Sequence, residues 1–493
     1  MRKYIIAIDA GTTGNRAVAF SKEGRIASSF YYEFSSIYPK PGWVEQDPLD
    51  IWRTTKMALV KVIEDVGGPE NVNAIGITNQ RETTILWDRK TGKPLYNAIV
   101  WQCRRTAEIC KSLYPYRKII KEKTGLFLDP YFSATKIKWL IENVEDVKKT
   151  VIKGDALFGT VDTWLLWNLT RGKAHSTDSS NASRTMLFNI NTLKYDEELL
   201  RIFNIPAYLL PEVKDSNTLF GYTNPGITGK TIPITGILGD QQAALFAQGG
   251  WNGEIVKNTY GTGLFVVAST GKEKAETKNL INTIAFCIEG KATYAIEGSV
   301  FSAGSILQWL KDNLGIIQTI EESGKLANSV YSNGDIYFVP ALTGLGAPYW
   351  DSDARGLIIG LTRSTKREHI VRAALESIAF QARDVIEEIK LITKRKVHAL
   401  RVDGGASKND FLMQLQADIL NMRIERAENI ESTSLGVAEM AGLSTGFWSF
   451  DCVKDLNPIE RVFAPSMDSQ KSEILYQKWK KAVKRSLKWV SDL

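Results

Sequence analysis

Apolar and polar positions along the chain alternate between two periods. Residues 4–8 form a continuous apolar, β-branched run that stops at Asp9 and a Gly11-Thr12-Thr13-Gly14 turn, and residues 17–20 resume strand character. This pattern predicts strand, tight turn, strand. Asp47 followed by Pro48 predicts a helix start, with the aspartate as N-cap and the proline in the first turn, and Trp52, Leu59, Ile63 and Val66 then recur at helical spacing. Strands are predicted again at residues 73–78 and 84–87.

The opening pattern returns in the second half. Residues 254–258 read as a strand, Tyr260-Gly261-Thr262-Gly263 as a turn, and residues 264–268 as a further apolar run, so Gly11 and Gly261 stand in equivalent settings 250 positions apart. An offset of about half the chain predicts a duplicated α/β architecture with domains 1–249 and 250–493. A third glycine turn follows a predicted strand at 400–403, where Gly404 and Gly405 lead into an amphipathic segment at 409–420. Strand, tight turn and helix make a corner of the size that holds a nucleotide.

Composition narrows the classes. At 493 residues, 44% hydrophobic and 24% charged, the chain is long enough for two cores and balanced like a globular protein. Its net charge of +7 comes from 62 basic and 55 acidic residues dispersed without long runs, which argues against a nucleic-acid arm. Cys103, Cys110, Cys287 and Cys452 include no CxxC pair, and His175, His369 and His398 lie far apart, so no zinc motif or disulfide framework is signalled. Asp9 interrupts the first apolar run before a signal peptide could be completed, and no later stretch reaches the length of a membrane helix. A cytoplasmic location without a transmembrane segment is expected.

The glycine turns carry the candidate chemistry. Glycine lets backbone N–H groups approach phosphate oxygens closely, and a neighbouring threonine adds a hydroxyl. One such turn is most often an ordinary hairpin connection, but two at half-chain offset can clamp a polyphosphate. Asp9, ending a strand beside the first turn, can hold Mg²⁺ directly or through water, or can simply cap the turn. No GxxxxGK[ST] loop occurs, which disfavours the P-loop class. Asp240 follows the apolar run 232–238 at the end of a predicted strand, where open α/β sheets bind ligands, and it can also cap a helix starting at Gln241.

More specific stretches are Asn79-Gln80-Arg81-Glu82-Thr83-Thr84, Trp101-Gln102-Cys103-Arg104-Arg105, Gly239-Asp240-Gln241-Gln242 and Asn258-Thr259-Tyr260-Gly261-Thr262-Gly263, with further motif-like segments at 131–143 and 356–376. With these the chain resembles, end to end, the FGGY carbohydrate kinase family, and within it the members that phosphorylate glycerol. The resemblance implies an α/β fold of two duplicated ribonuclease-H-like domains of the actin and hexokinase type, with a central nucleotide and substrate cleft. It implies ATP and Mg²⁺ as cofactors, glycerol as acceptor, and a homodimer or homotetramer; another FGGY polyol or sugar kinase is the alternative.

Carried over residue by residue, the resemblance gives Arg81, Glu82, Tyr131, Asp240 and Gln241 to the glycerol hydroxyls and Trp101 and Phe265 to its carbon backbone. Asp240 is the expected catalytic base and Asp9 the metal ligand. Gly11, Thr12, Thr13, Arg16, Gly261 and Thr262 are expected at the phosphates, and Gly304, Gln308, Gly405 and Asn409 at the adenosine. The first turn departs from many relatives at Ala10, Gly14 and Asn15, which predicts a more flexible loop or an altered phosphate affinity. Thr231 stands where inhibited bacterial members carry an arginine for fructose 1,6-bisphosphate, and no histidine lies between His175 and His369 for phosphorylation by the sugar phosphotransferase system. Both controls are therefore expected to be absent.

Overall fold

The computed structural model describes residues 3–251, 255–394 and 397–490. These residues form two compact units, one from Met1–Ala247, Asn282–Tyr294 and Thr433–Leu456, the other from Gln248–Ile281, Ala295–Ser432 and Asn457–Leu493. The chain thus leaves the first unit near residue 250, where the repeat begins, but returns to it twice. No helix among the described residues is long and apolar enough to cross a membrane.

In the first unit a six-stranded sheet runs in the order Gly221–Tyr222, Pro233–Gly239, Val72–Asn79, Tyr4–Ala10, Gly14–Phe20 and Ile26–Glu33. Tyr4–Ala10 pairs antiparallel with Gly14–Phe20 and parallel with Val72–Asn79, which pairs parallel with Pro233–Gly239. The predicted strand at 73–78 is therefore one residue longer at each end. The strand read at 84–87 is observed as Ile85–Asp88.

The second unit repeats this connectivity. Val256–Tyr260 pairs antiparallel with Leu264–Gly271 and parallel with Ala399–Asp403, which is followed by parallel Arg423–Ala427 and antiparallel Ile459–Phe463. Glu254, read as the start of this hairpin, lies outside the described residues. The second hairpin, the parallel strand beside it and the parallel strand beyond occupy the same relative places as in the first sheet, so the duplication is structural as well as sequential.

The helix Pro48–Asp65 starts as predicted, with the Asp47 carboxylate accepting from the Leu49 N–H at 2.8 Å. Its buried stripe is Ile51, Thr54, Thr55, Ala58, Leu59, Val62 and Ile63, while Trp52 and Val66 lie half-buried at its edge. The stripe turns toward the threonines because buried Asn15 donates to the Ile51 carbonyl at 2.7 Å and to Thr54 Oγ1 at 2.9 Å. Asn15 thus fastens the first hairpin to this helix. Gly14 is equally fixed, since a Cβ there would stand 2.6 Å from the Tyr31 ring and from the Tyr32 carbonyl. The departures at these two positions are packing features.

Close contacts also explain why residues 433–456 belong to the first unit. A Cβ on Gly76 would meet the Val437 carbonyl at 2.5 Å, and one on Gly236 would meet the Ala441 backbone nitrogen at 2.7 Å. Two bare strand positions therefore let the helix Ser432–Ser444 lie against the sheet.

In the second unit the 27-residue helix Arg367–Thr393 buries Asp384, whose carboxylate accepts from Tyr476 Oη at 2.9 Å and Trp479 Nε1 at 2.8 Å. Burial pushes this carboxyl up to about 6, against the pull of those donors. The folded state therefore keeps a proton between about pH 4 and 6 that the unfolded chain has released, and raising pH through this window favours unfolding. Asp384→Asn should remove that loss: its stability relative to the wild type should rise from pH 4 to 6 in urea titrations. A difference independent of pH would contradict the assignment.

Candidate active site

The three parallel strands of the first sheet end at one level. Asp9 stands beside Thr78, Ala10 beside Asn79, and Gly239 beside Asn79 on the other side. Asp9, the turn after Ala10, the segment from Gln80 to Glu82 and Asp240 therefore all emerge at the carboxyl edge of the sheet. Arg16 faces Asp9 across the hairpin, with its guanidinium 5.4 Å from the Tyr31 ring centroid.

The first turn closes with the Gly11 N–H on the Gly14 carbonyl at 3.0 Å. Its carbonyls point into the protein: Gln80 Nε2 donates to the Gly11 carbonyl at 3.1 Å and Gln46 Nε2 to the Thr12 carbonyl at 2.7 Å. In a trans peptide the carbonyl and the following N–H point in opposite directions, so the N–H groups of Thr12 and Thr13 face away from those glutamines. The result is an outward-facing pair of backbone donors suited to an anion. Trp101 Nε1 donates to Thr12 Oγ1 at 3.0 Å, and the Trp101 ring meets Tyr131 edge-on with centroids 5.8 Å apart.

Asp240 opens the helix Asp240–Ala247, one residue earlier than the expected start at Gln241. Its Oδ1 accepts from the Gln241 N–H at 2.7 Å and meets Arg81 Nε at 3.0 Å. Its other oxygen has no hydrogen-bond partner among the described residues, and the side chain is 29% exposed. Arg81 is buried and also donates to Gln242 Oε1 at 3.2 Å; it lies over Gly239, where a Cβ would come within 2.7 Å of its Cδ. Buried Gln241 follows.

Glu82 is buried in a left-handed backbone conformation, φ 59°, uncommon for a residue with a side chain. Its carbonyl accepts from Ser133 Oγ at 3.0 Å, Thr84 Oγ1 at 3.1 Å and Lys136 Nζ at 3.3 Å. Its carboxylate meets Arg184 Nε at 2.5 Å, and Arg184 is fully buried with its guanidinium 5.4 Å from the Tyr131 ring centroid. The sequence reading missed Arg184, whose only local signal is a cation in the otherwise uncharged stretch 179–193. Ser434 was missed too; its hydroxyl reaches Asp9 Oδ2 at 3.3 Å.

The second unit builds its turn the same way. The Gly261 N–H meets the Gly263 carbonyl at 3.0 Å, Gly304 N–H donates to the Gly261 carbonyl at 3.0 Å, and Ala303 and Ser305 N–H groups donate to the Thr262 carbonyl at 2.9 and 3.1 Å. Gly304 opens the helix Gly304–Asp312, and a Cβ there would lie 2.6 Å from the Gly261 carbonyl oxygen. Gln308, on the same helix, is exposed and donates to Asp312.

Gly404 has φ 84° and approaches Tyr260 so closely that a Cβ would stand 2.6 Å from its carbonyl. A short 3-10 turn, Gly405–Lys408, then leads to Asn409, which caps Asp410–Leu420 by accepting from the Leu412 N–H at 3.1 Å. Gly405 and Asn409 line a cavity of about 660 Å³ with Leu307, Ile320, Gly324 and Phe411. Phe265 is buried in the strand after the turn, opposite Thr259.

Models of the N-terminal domain of the FGGY family of carbohydrate kinases match residues 4–247, and of its C-terminal domain residues 256–445. The chain belongs to the FGGY family of carbohydrate kinases. Among FGGY relatives, a glycerol kinase of Aquifex aeolicus is 55% identical over 98% of this chain and 99% of that protein. A glycerol kinase 2 of Thermotoga maritima is also 55% identical, over 99% of each. The solved Plasmodium falciparum glycerol kinase with ADP superposes with a TM-score of 0.89 at 39% identity over 98% of both chains. This FGGY fold is the two-part α/β arrangement of actin and hexokinase type expected above.

Arg184 Nε meets the Glu82 carboxylate at 2.5 Å, whereas Arg81 Nε stands farther off at 3.9 Å. Removing one partner of a buried pair typically costs about 3–5 kcal/mol, because the remaining charge stays buried. Arg184→Met should lower unfolding stability by that order, and adding Glu82→Gln should recover much of the loss. Equal losses in the single and double variants, measured by urea unfolding, would contradict this pairing.

Proposed function

We propose that this chain transfers the terminal phosphoryl group of ATP to glycerol, giving sn-glycerol 3-phosphate. The observation that carries the reading is the Asp240 carboxylate, held through one oxygen by Arg81 and the Gln241 N–H while the other is available to a ligand. Similarity to glycerol kinases over the full chain supports glycerol over another FGGY polyol or sugar.

In this reading Arg81, Glu82, Tyr131, Asp240 and Gln241 hydrogen-bond the triol, and Trp101 and Phe265 flank its carbons; for Phe265 the support is the resemblance alone. A triol presents donors and acceptors together, and buried polar groups discriminate against analogues that leave them unpaired. Asp240 accepts the proton of the attacking hydroxyl. The N–H groups of Thr12 and Thr13 and the turn of Gly261 and Thr262 hold phosphate oxygens, with Gly11 permitting close approach and Arg16 adding charge. Gly405 and Asn409 take the adenosine in the 660 Å³ cavity, with Gly304 and Gln308 assigned there by resemblance. The N-terminal domain, 1–249, would then supply glycerol and phosphate contacts and the C-terminal domain, 250–493, adenosine and phosphate contacts.

Among the described residues no cluster of three or more acidic, histidine or cysteine ligands exists. Mg²⁺ keeps much of its water and needs few carboxylates when it travels with a nucleotide, and the Asp9 carboxylate at the edge of the sheet is a hard oxygen donor of the kind it takes. Asp9 would hold it, and when bound it neutralises phosphate charge. A cytoplasmic location and a homodimer or homotetramer belong to the same proposal, on resemblance.

Asp240→Asn should cut glycerol-dependent ADP formation by about 10² to 10⁴ while nucleotide binding persists. Retention of more than about a tenth of wild-type turnover would remove Asp240 as the base. Thr231 and Lys230, both exposed, leave the loop without an arginine fork for a bisphosphate. Fructose 1,6-bisphosphate titrated at saturating ATP should therefore leave activity unchanged, and half-inhibition below about 1 mM, the range of ordinary metabolite affinities, would show another group in that role.

A further inference from the structure

Lys136 has no exposed surface and sits in the buried first half of the helix Ser133–Asn143. Its ammonium donates to two carbonyls, that of Tyr131 at 2.6 Å and that of Glu82 at 3.3 Å. These two segments lie far apart in sequence and each carries a side chain assigned to the polyol. One of them is strained: Glu82 holds φ 59°, a conformation that persists only where its surroundings over-determine it. A buried cation is costly unless its hydrogen bonds are satisfied, so a lysine kept here needs a reason that a methionine of the same length could not supply.

We propose that Lys136 is a positioning residue for acceptor binding, tying the Glu82 and Tyr131 segments into one rigid wall of the polyol site. The inference rests on the reading that Glu82 and Tyr131 face the acceptor. Its consequence is specific: loosening the wall weakens the acceptor more than the nucleotide, because the turn of Gly11 to Gly14 is closed by its own Gly11 N–H to Gly14 carbonyl bond and is also fastened by Gln46 and Asn15, outside that wall.

Titration gives a second handle. Burial lowers the lysine to about 8; Glu82, Cys103 and Asp129 oppose the shift and Arg104 adds to it. Above that pH the amine is neutral and its hydrogen bonds to the two carbonyls lose their charge assistance.

The test compares Lys136→Met and Lys136→Arg with the wild type by steady-state kinetics with glycerol and ATP. A wild type inactive on glycerol would remove the underlying reading, separately from this inference. With an active wild type, Lys136→Met should raise KM for glycerol by about tenfold or more, the scale of a lost charge-assisted bond, and leave KM for ATP within about twofold. Lys136→Arg should restore most of the glycerol KM. The wild type should also lose kcat/KM for glycerol between pH 7 and 9, and Lys136→Arg should not. An unchanged glycerol KM in Lys136→Met, or equal rises for glycerol and ATP, overturns the proposal. If Lys136→Met does not fold, the pH profile decides, and a decline in Lys136→Arg matching the wild type overturns it.

Discussion

The parallel register of three strands is the constraint on which the site depends. Because Tyr4–Ala10, Val72–Asn79 and Pro233–Gly239 end together, the chain delivers two carboxylates, an arginine and a glycine turn to one edge without any long loop. Neighbouring strands lie about 4.8 Å apart, so the backbones leading to Asp9 and Asp240 are separated by roughly 10 Å across the middle strand. That gap suits a small polar ligand. A slip of one residue in either pairing would turn Asp9 or the Arg81 segment to the other face of the sheet.

Holding charge at such an edge is expensive, and the structure meets the cost by assigning each buried ion a partner. Arg81 takes Asp240 and Gln242, while Arg184 takes Glu82. Buried pairs of this kind contribute little net stability and much geometric definition. Glycine has a complementary part. At Gly14, Gly239, Gly304 and Gly404 the missing Cβ lets a ring, the aliphatic stem of Arg81 or a backbone carbonyl come close enough to fix the turns.

Local signals made much of this legible. The hairpin with its Gly-Thr turn, its recurrence in the second half, the Asp47 cap and the strand at 400–403 all follow from spacing and turn chemistry. What stayed hidden depends on contacts distant in sequence. Nothing around Ser183-Arg184-Thr185 shows that this arginine reaches Glu82, and Lys136 looked like one member of a motif. Its signal was its slot between Phe132 and Leu140 on an apolar stripe, where a cation is out of place. The return of 433–456 to the first unit was hidden for the same reason, since it rests on bare positions at Gly76 and Gly236 in another part of the chain. Asn15 was read as a departure near a ligand and proved to be a buried tie to the first helix.

The central claim is that this edge binds a triol and activates one of its hydroxyls toward ATP. ADP formation measured across glycerol, dihydroxyacetone, erythritol, xylulose and no acceptor tests it most directly. A site built on buried hydrogen-bonding partners predicts that kcat/KM for glycerol exceeds that for erythritol and xylulose by about 10² or more, with slow turnover when no acceptor is present. Equal or faster ADP formation with xylulose, or without any acceptor, would contradict it.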